Sequence, residues 1–462
     1  MKHPGTCLSV VAVACVAAVA SLPPALSAQG VAYFENPLKD GIGTNLSWTG
    51  DGDGLHLSDP GQPAGLADSL IRTLGYRILR IPGGYLARTF DWQKAVGSTR
   101  GIERNIFSGH LEPVTTGLPE MKRFAAKYGF RVMYTVNLND SRQKIVQLVD
   151  TWNASAPADG PPITWVELGN ELYDRDPSVA GAHRYIDTVR PIMVALKAKY
   201  PAVLIGALIA NPVNPGWDTT VYQALAPAGI DFLSWHRYVP YFEYRGADSY
   251  APTLATFAAL ENDLRAHSHL QTGRRVPVFL TEYNLSFDDR PHHPQSPTPI
   301  PRYYLLLGNF VYLGMKYGMQ SLVKEGLSNP SWHYFADIDH DREGQPVLGF
   351  NGMVAKLLNG WVDLQDSVAL VPQSGQDPLH VSAMAGKSTR GVALLVQNHD
   401  SVPQRFSFSL GPTYVADSTV GLEEHGTSFW AIHQVGAMRA PDGGIIAPPY
   451  SITVVTFRSV KP

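Results

Sequence analysis

Two short segments carry residue types that could do chemistry together: Trp-Val-Glu-Leu-Gly-Asn-Glu from Trp165 to Glu171, and Val-Phe-Leu-Thr-Glu-Tyr-Asn from Val278 to Asn284. Each is an apolar run of strand character that ends on a carboxylate, Glu171 in one and Glu282 in the other. A buried strand ordinarily stops at Gly, Asn or Pro, because an ionised side chain is costly to remove from water without a partner. Glutamates at both tips therefore point to a pair of acids facing a common cleft. Cleavage of a glycosidic bond needs that pair. One carboxylic acid protonates the departing oxygen, while the other, as carboxylate, attacks the anomeric carbon or activates water against an oxocarbenium-like transition state.

The elements that must position such a pair are legible as eight apolar runs between about residue 40 and residue 360: Ile42–Ser47, Arg77–Ile81, Arg131–Asn137, Thr164–Glu171, Ala202–Ala210, Ile230–Tyr238, Val276–Asn284 and Gln320–Glu325. Helical periodicity lies between most of them, at Ala64–Leu74, Leu118–Tyr128, Ile145–Trp152, Ala182–Tyr200, Thr253–Ala266 and Tyr303–Tyr317. Strand–helix alternation of this kind predicts an α/β chain closed as a (β/α)8 TIM barrel over residues 38–360. Such a barrel keeps its chemistry at the carboxyl ends of its strands. Arg80, Asn137, Asn139, Asn170, Asn211, His236, Tyr238, Lys324 and Glu325 all fall at or just beyond such ends. Glu167 shares a strand face with Glu171 and is expected to point into the barrel and pair with a cation. Beyond residue 360 the pattern becomes short alternating runs divided by Gly, Pro and Asn/Asp turns, which predicts a C-terminal β-sandwich domain over residues 361–462, joined by residues 29–37.

The first 28 residues read as a secretory signal peptide: Lys2 and His3, an apolar stretch from Leu8 to Ala20, then Ala25-Leu26-Ser27-Ala28, with cleavage expected after Ala28. Export to the medium or periplasm follows as the expectation. Both cysteines, Cys7 and Cys15, lie in that segment, so the mature chain is expected to lack thiol and disulfide alike. Net charge is −3, with no Lys/Arg block, which argues against nucleic acid or an anionic membrane surface as partner and favours a partner neutral or mixed in charge; the paired acids, not the composition, point to a carbohydrate substrate. His292-His293 and Asp337–Asp341 lack the spacing of a ligand set, and Gly-Asp-Gly-Asp-Gly from Gly50 to Gly54 reads as a turn-rich loop after the first strand, with calcium as its alternative reading, so neither metal nor cofactor is expected. Oligomeric state leaves no mark on the sequence.

Asn-Glu at Asn170-Glu171, Thr-Glu-Tyr-Asn at Thr281–Asn284 and Arg-Ile-Pro-Gly-Gly at Arg80–Gly84, in that strand context, resemble the clan of retaining (β/α)8 glycoside hydrolases. Within the clan Arg80–Gly84, Glu-Leu-Gly-Asn-Glu-Leu-Tyr at Glu167–Tyr173 and the appended sandwich are most similar to α-L-arabinofuranosidases. The resemblance implies Glu171 as acid/base, Glu282 as nucleophile, Asn170 as donor to the sugar 2-hydroxyl and Arg80 as the cation that holds Glu282 ionised. It also implies that His236 and Tyr238 are the strand-six pair bonded to one of the acids, and that Trp332 floors the sugar site. Thr281-Glu282-Tyr283 departs from the Asp-Glu-Trp usual at the nucleophile in such enzymes. The other readings are a β-xylosidase, an endo-glycanase, a β-glucuronidase whose uronate would be clamped by Arg88, Arg237 or Lys324, and a catalytically silent carbohydrate-binding protein.

Overall fold

The computed structural model describes the chain apart from residues 1–25, 28–31, 107–108, 241–250, 287–302, 329–335, 341–342, 344, 372–380, 407, 410–413, 426–427, 434–444 and 460–462. The expected leader thus lies outside the described residues except for a two-residue pairing of Leu26–Ser27 with Phe408–Ser409.

Eight parallel strands close a barrel: β1 (Ile42–Asn45), β2 (Ile78–Ile81), β3 (Arg131–Thr135), β4 (Ile163–Glu167), β5 (Leu204–Leu208), β6 (Phe232–Pro240), β7 (Val278–Ser286) and β8 (Ser321–Lys324). Each is followed by a helix: α1 (Gly65–Leu74), α2 (Leu118–Tyr128), α3 (Arg142–Ala154), α4 (Val179–Lys199), α5 (Pro215–Leu225), α6 (Ala251–Leu270), α7 (Tyr303–Tyr317) and α8 (Phe350–Asp363). Side chains end these helices as the sequence requires. Ser141, Ser178 and Asn214 cap α3, α4 and α5 by accepting from the first-turn amides of Lys144, Gly181 and Trp217. The helical periods missed α5 and α8. Pro and Gly open the first, and two glycines interrupt the second; Gly352 is needed there because a Cβ would stand 2.2 Å from the carbonyl oxygen of Asp337.

The barrel interior is filled in tiers, because alternate residues of each strand point inward. The lower tier is apolar: Ile78, Met133, Trp165, Phe232, Phe279 and Val323 form one buried cluster, and Gly206 leaves the space that the Phe232 ring fills. Two residues further along each strand the same faces carry Asn45, Arg80, Thr135, Glu167, Ser234, Thr281 and Glu325. A dry floor thus supports a polar storey, and the site stands on that storey.

The C-terminal lobe is a β-sandwich. Its main sheet runs in the order Phe34–Glu35, β9 (Ser367–Leu370), β10 (Val381–Ser388), β11 (Gly391–Asn398), β14 (Ser451–Ser459), β12 (Tyr414–His425) and β13 (Ser428–His433). A short ladder of Gln404–Phe406 with Ile445–Ala447 covers one face. Along β11 the two-residue period sends Val392, Leu394 and Val396 into the sandwich core and Ala393 and Leu395 into the core shared with the barrel. Burial on both faces explains why these strands read as nearly continuous apolar runs. The segment before the barrel is tied in as well, since Glu35 pairs with Ser367 and the Asn36 amide donates to the carbonyls of Val362 and Gln365.

Candidate active site

Arg80 is the hub of the polar storey. It is fully buried, and its guanidinium donates to Oε2 of Glu167 from both Nε (2.8 Å) and Nη2 (2.6 Å). The remaining donors reach Oδ1 of Asn45 and Oε2 of Glu282, both from Nη1 at 2.8 Å, and Oδ1 of Asn170 from Nη2 at 2.7 Å. Such a fork is what guanidinium geometry offers and ammonium does not. Glu167 is also held by Thr135 Oγ1 (2.6 Å) and by the Ser234 hydroxyl, so its role is that of a buried counter-ion, paired with a cation as its strand face implied. Burial works against its charge, yet Arg80 and His236 outweigh burial and hold it well below the ordinary carboxylate range.

The strand ends aim the two candidate acids in different ways. Ladder pairing of β4 stops at Glu167, Gly169 turns at φ +90°, and Glu171 stands four residues past the strand in the left-handed region at φ 46° and ψ 40°. A non-glycine residue there is strained and must be held by its surroundings. Arg88 does so: Nε donates to the carbonyl of Asn170 at 2.7 Å and Nη2 to that of Glu171, while the guanidinium lies 3.7 Å over the Tyr85 ring. Glu282 is aimed by bulges on both sides of β7, with register shifts against β6 between Trp235 and His236 and against β8 between Leu280 and Tyr283.

One carboxylate oxygen from each of Glu171 and Glu282, together with a ring nitrogen of His236, all lie within 4.8 Å of one another. His236 Nδ1 is 3.0 Å from Oε1 of Glu171, and its Nε2 is 3.5 Å from Oε1 of Glu167. The Tyr238 hydroxyl donates to Oε1 of Glu282, and Asn170 Nδ2 donates to Oε2 of Glu171 at 3.3 Å. Burial disfavours a charged His236, but Glu282, Glu167 and Glu171 outweigh it and raise the imidazole to about 10. Burial raises Glu171, the bond from His236 opposes that rise, and the charge of Glu282 adds to it; the net direction is upward. Two buried cations, Arg80 and His236, thus stand among the carboxyls of Glu167, Glu171 and Glu282. Among the described residues the trio of Glu171, His236 and Glu282 is also where donors converge closely enough for a metal ion, but two buried cations already occupy the cluster, and a third would face Arg80.

Six of the residues singled out from sequence thus meet: Glu171, Glu282, Asn170, Arg80, His236 and Tyr238. Asn137 bonds elsewhere. Its amide donates to the carbonyl of Phe90 at 3.4 Å and its Oδ1 accepts from the amide of Asn139, so it shapes the loop after β3. Trp332 and His292-His293 lie outside the described residues. The cations considered for a uronate are already engaged. Arg88 is bonded as above, Arg237 lies 3.1 Å from Asp263, and buried Lys324 lies 3.0 Å from Asp337. Asp51 and Asp53 of the Gly50–Gly54 turn accept from Ser58, Thr116 and Ser47, which leaves them organising the loop. Sequence reasoning missed Asn45, Thr135 and Ser234, whose signal was only their position two residues above the apolar tier.

No family model matches the chain. An intracellular exo-α-(1→5)-L-arabinofuranosidase from Bifidobacterium longum is 24% identical over 269 residues, which cover 53% of this chain and 45% of that protein, so the chain spans less than half the length of the curated relative it matches. In three dimensions a family 51 α-L-arabinofuranosidase from Bifidobacterium longum superposes with a TM-score of 0.73 at 17% identity, covering 94% of this chain and 99% of the other. The α-L-arabinofuranosidase of Thermotoga maritima, solved with arabinose, gives 0.71 at 17% identity and the same coverage. A family 30 xylanase from Clostridium acetobutylicum is more distant, at 0.53 and 14% identity over 94% of this chain and 98% of its own. In fold and over part of its sequence, then, this chain is similar to α-L-arabinofuranosidases of the (β/α)8 glycoside hydrolase type.

Proposed function

We propose that the protein hydrolyses α-L-arabinofuranosides with net retention, using Glu282 as nucleophile and Glu171 as acid and then base. The observation that carries this reading is the approach of their carboxylate oxygens to within 4.8 Å. A retaining pair stands about 5–5.5 Å apart, whereas an inverting pair needs about 6.5–9.5 Å to admit a water. In the first step Glu171 gives its proton to the departing oxygen while Glu282 bonds to the anomeric carbon. Forming the ester removes the Glu282 charge that helps hold the Glu171 proton, so Glu171 becomes more acidic just when it must accept a proton from water. His236 and Tyr238 supply the bonds that keep the two carboxyls in place through both steps. Asn170, oriented by Arg80, faces the same cleft as the donor for the 2-hydroxyl.

The sugar is the finer part of the proposal, and it rests on the similarity to arabinofuranosidases. The leader read over residues 1–28 supports export of the mature chain, although the curated relative is named intracellular. Turnover of a panel of aryl α-L-arabinofuranoside, β-xyloside, β-glucoside and β-glucuronide, with the first-formed anomer followed by NMR, tests sugar and stereochemistry together. Preference for another glycoside would overturn the sugar, inverted product the mechanism, and failure of a mechanism-based fluoroglycoside to add covalent mass the catalytic reading altogether.

A further inference from the structure

Among the described residues, Glu325 is the member of the polar storey whose side chain takes no part in its bonding. Asn45 and Thr135 bond to Arg80 and Glu167, and Ser234 bonds to Glu167 and Thr281. Glu325 continues β8, its amide bonded to the carbonyl of Tyr283 at 3.1 Å, two residues above inward-facing Val323. Its carbonyl accepts from Asn284 and Lys324, yet its side-chain Oε2 is buried without a hydrogen-bond partner among the described residues. The cation next to it in sequence, Lys324, is turned to Asp337. A buried polar atom left unbonded costs stability, and native proteins keep few of them except where a ligand completes the bond.

We infer that Glu325 is a specificity-determining residue whose side chain hydrogen-bonds a hydroxyl of the bound sugar, on the ring edge opposite the 2-hydroxyl. The direction follows from the barrel, in which β8 and β4 stand on opposite sides, so that Glu325 and Asn170 reach the glycone from opposed strands. The chemistry follows from what surrounds it. Burial, Glu282 and Asp53 raise the carboxyl well above its ordinary range against Arg80 and Lys324, which favours the neutral acid, a group that can both donate to and accept from an alcohol. A sugar carboxylate at that edge would meet three acids and no uncommitted cation among the described residues, so the partner is a neutral hydroxyl. This inference rests on the arabinofuranosidase reading and deepens it.

The test uses Glu325→Met, which keeps side-chain length and removes the polar atoms, and Glu325→Gln, which keeps a donor and an acceptor. Both are measured with the aryl α-L-arabinofuranoside and its 3-deoxy and 5-deoxy analogues, alongside thermal unfolding. Glu325→Met should melt no lower than the parent, since it deletes an unsatisfied buried group, and should lose about tenfold or more in kcat/KM on the full sugar. On one deoxy analogue, and not the other, parent and Glu325→Met should converge. Glu325→Gln should keep the discrimination between the analogues. A lower melting temperature for Glu325→Met, or equal losses on all three substrates, would make Glu325 structural and overturn the inference. If the parent enzyme cleaves none of the three but cleaves another glycoside of the panel, the failure belongs to the sugar assignment, not to Glu325.

Discussion

The α-carbon of Gly84 faces the carboxylate of Glu282 so closely that a Cβ built on it would stand 2.6 Å from Oε2 and 3.0 Å from both Cδ and Oε1. The Arg-Ile-Pro-Gly-Gly motif therefore does two things for one carboxylate: Arg80 bonds it and Gly84 makes room for it. The neighbouring Gly83, at φ +100°, carries the chain around that approach.

Gly84→Ala is expected to displace the carboxylate, not to unfold the barrel. A methyl forced into a filled space costs about 1–3 kcal/mol, while misplacing a reacting group by an ångström can lower kcat on the order of a hundredfold. Thermal unfolding set beside kcat/KM separates the two effects. Activity within twofold of the parent would show that Glu282 tolerates the shift and is not the nucleophile.

Glu171→Ala should slow cleavage of substrates with poor leaving groups by about 10²–10⁴-fold and spare activated aryl glycosides in their first step. Added azide should restore turnover and give the glycosyl azide of retained configuration. Because burial and Glu282 raise the acid above its ordinary 4.5, the basic limb of kcat/KM should lie higher than a free glutamate allows and vanish in the variant. A basic limb that survives would assign the proton to another group.

Arg80→Met should be among the most destabilising single changes. It leaves Glu167, fully buried, with Thr135, Ser234 and His236 but without its guanidinium, and removing one partner of a buried ion pair costs about 3–5 kcal/mol. Chemical denaturation would measure it. A loss below about 1 kcal/mol, the range of exposed pairs, would mean that Glu167 is neutral in the folded protein.

His236 makes the stability depend on pH. Its folded pKa, about 10, stands above the ordinary 6.5, so its contribution is fully present below about pH 6.5 and is lost as pH climbs through 10. His236→Asn should therefore melt well below the parent at pH 6, and the gap should narrow steadily towards pH 10. A gap that does not change with pH would mean that the buried imidazole is neutral throughout.

Much of this was legible in the residues because barrel strands announce themselves twice, as apolar runs and as polar termini. Arg80, Asn170, Glu171, His236, Tyr238 and Glu282 were found that way, and all six meet. Glu171 shows the limit of the method. Read as a strand tip it would share a face with Glu167; in fact the ladder ends at Glu167, and a left-handed residue held by Arg88 carries Glu171 out to the cleft. Arg88 entered only as one of three cations that a β-glucuronidase would need for its uronate, and the structure engages it on backbone carbonyls. Thr135 and Ser234 went unnoticed because a short hydroxyl on a strand is ordinary; only knowing which tier it occupies gives it meaning. Helices α5 and α8 were hidden for a different reason. Tertiary packing there overrides the weak local signal of Pro and Gly.

The amide of Asn36 closes its bond on a carbonyl 326 positions downstream, and the strand just before it is a rib of the C-terminal sheet. The Phe34–Asn36 segment thus has its partners more than 320 residues further along the chain. These contacts couple the two lobes at long sequence separation, a topology that slows folding. Removing that strand would expose Ser367–Leu370 as the edge of the sheet, so truncation through Glu35 should cost solubility before it costs catalysis.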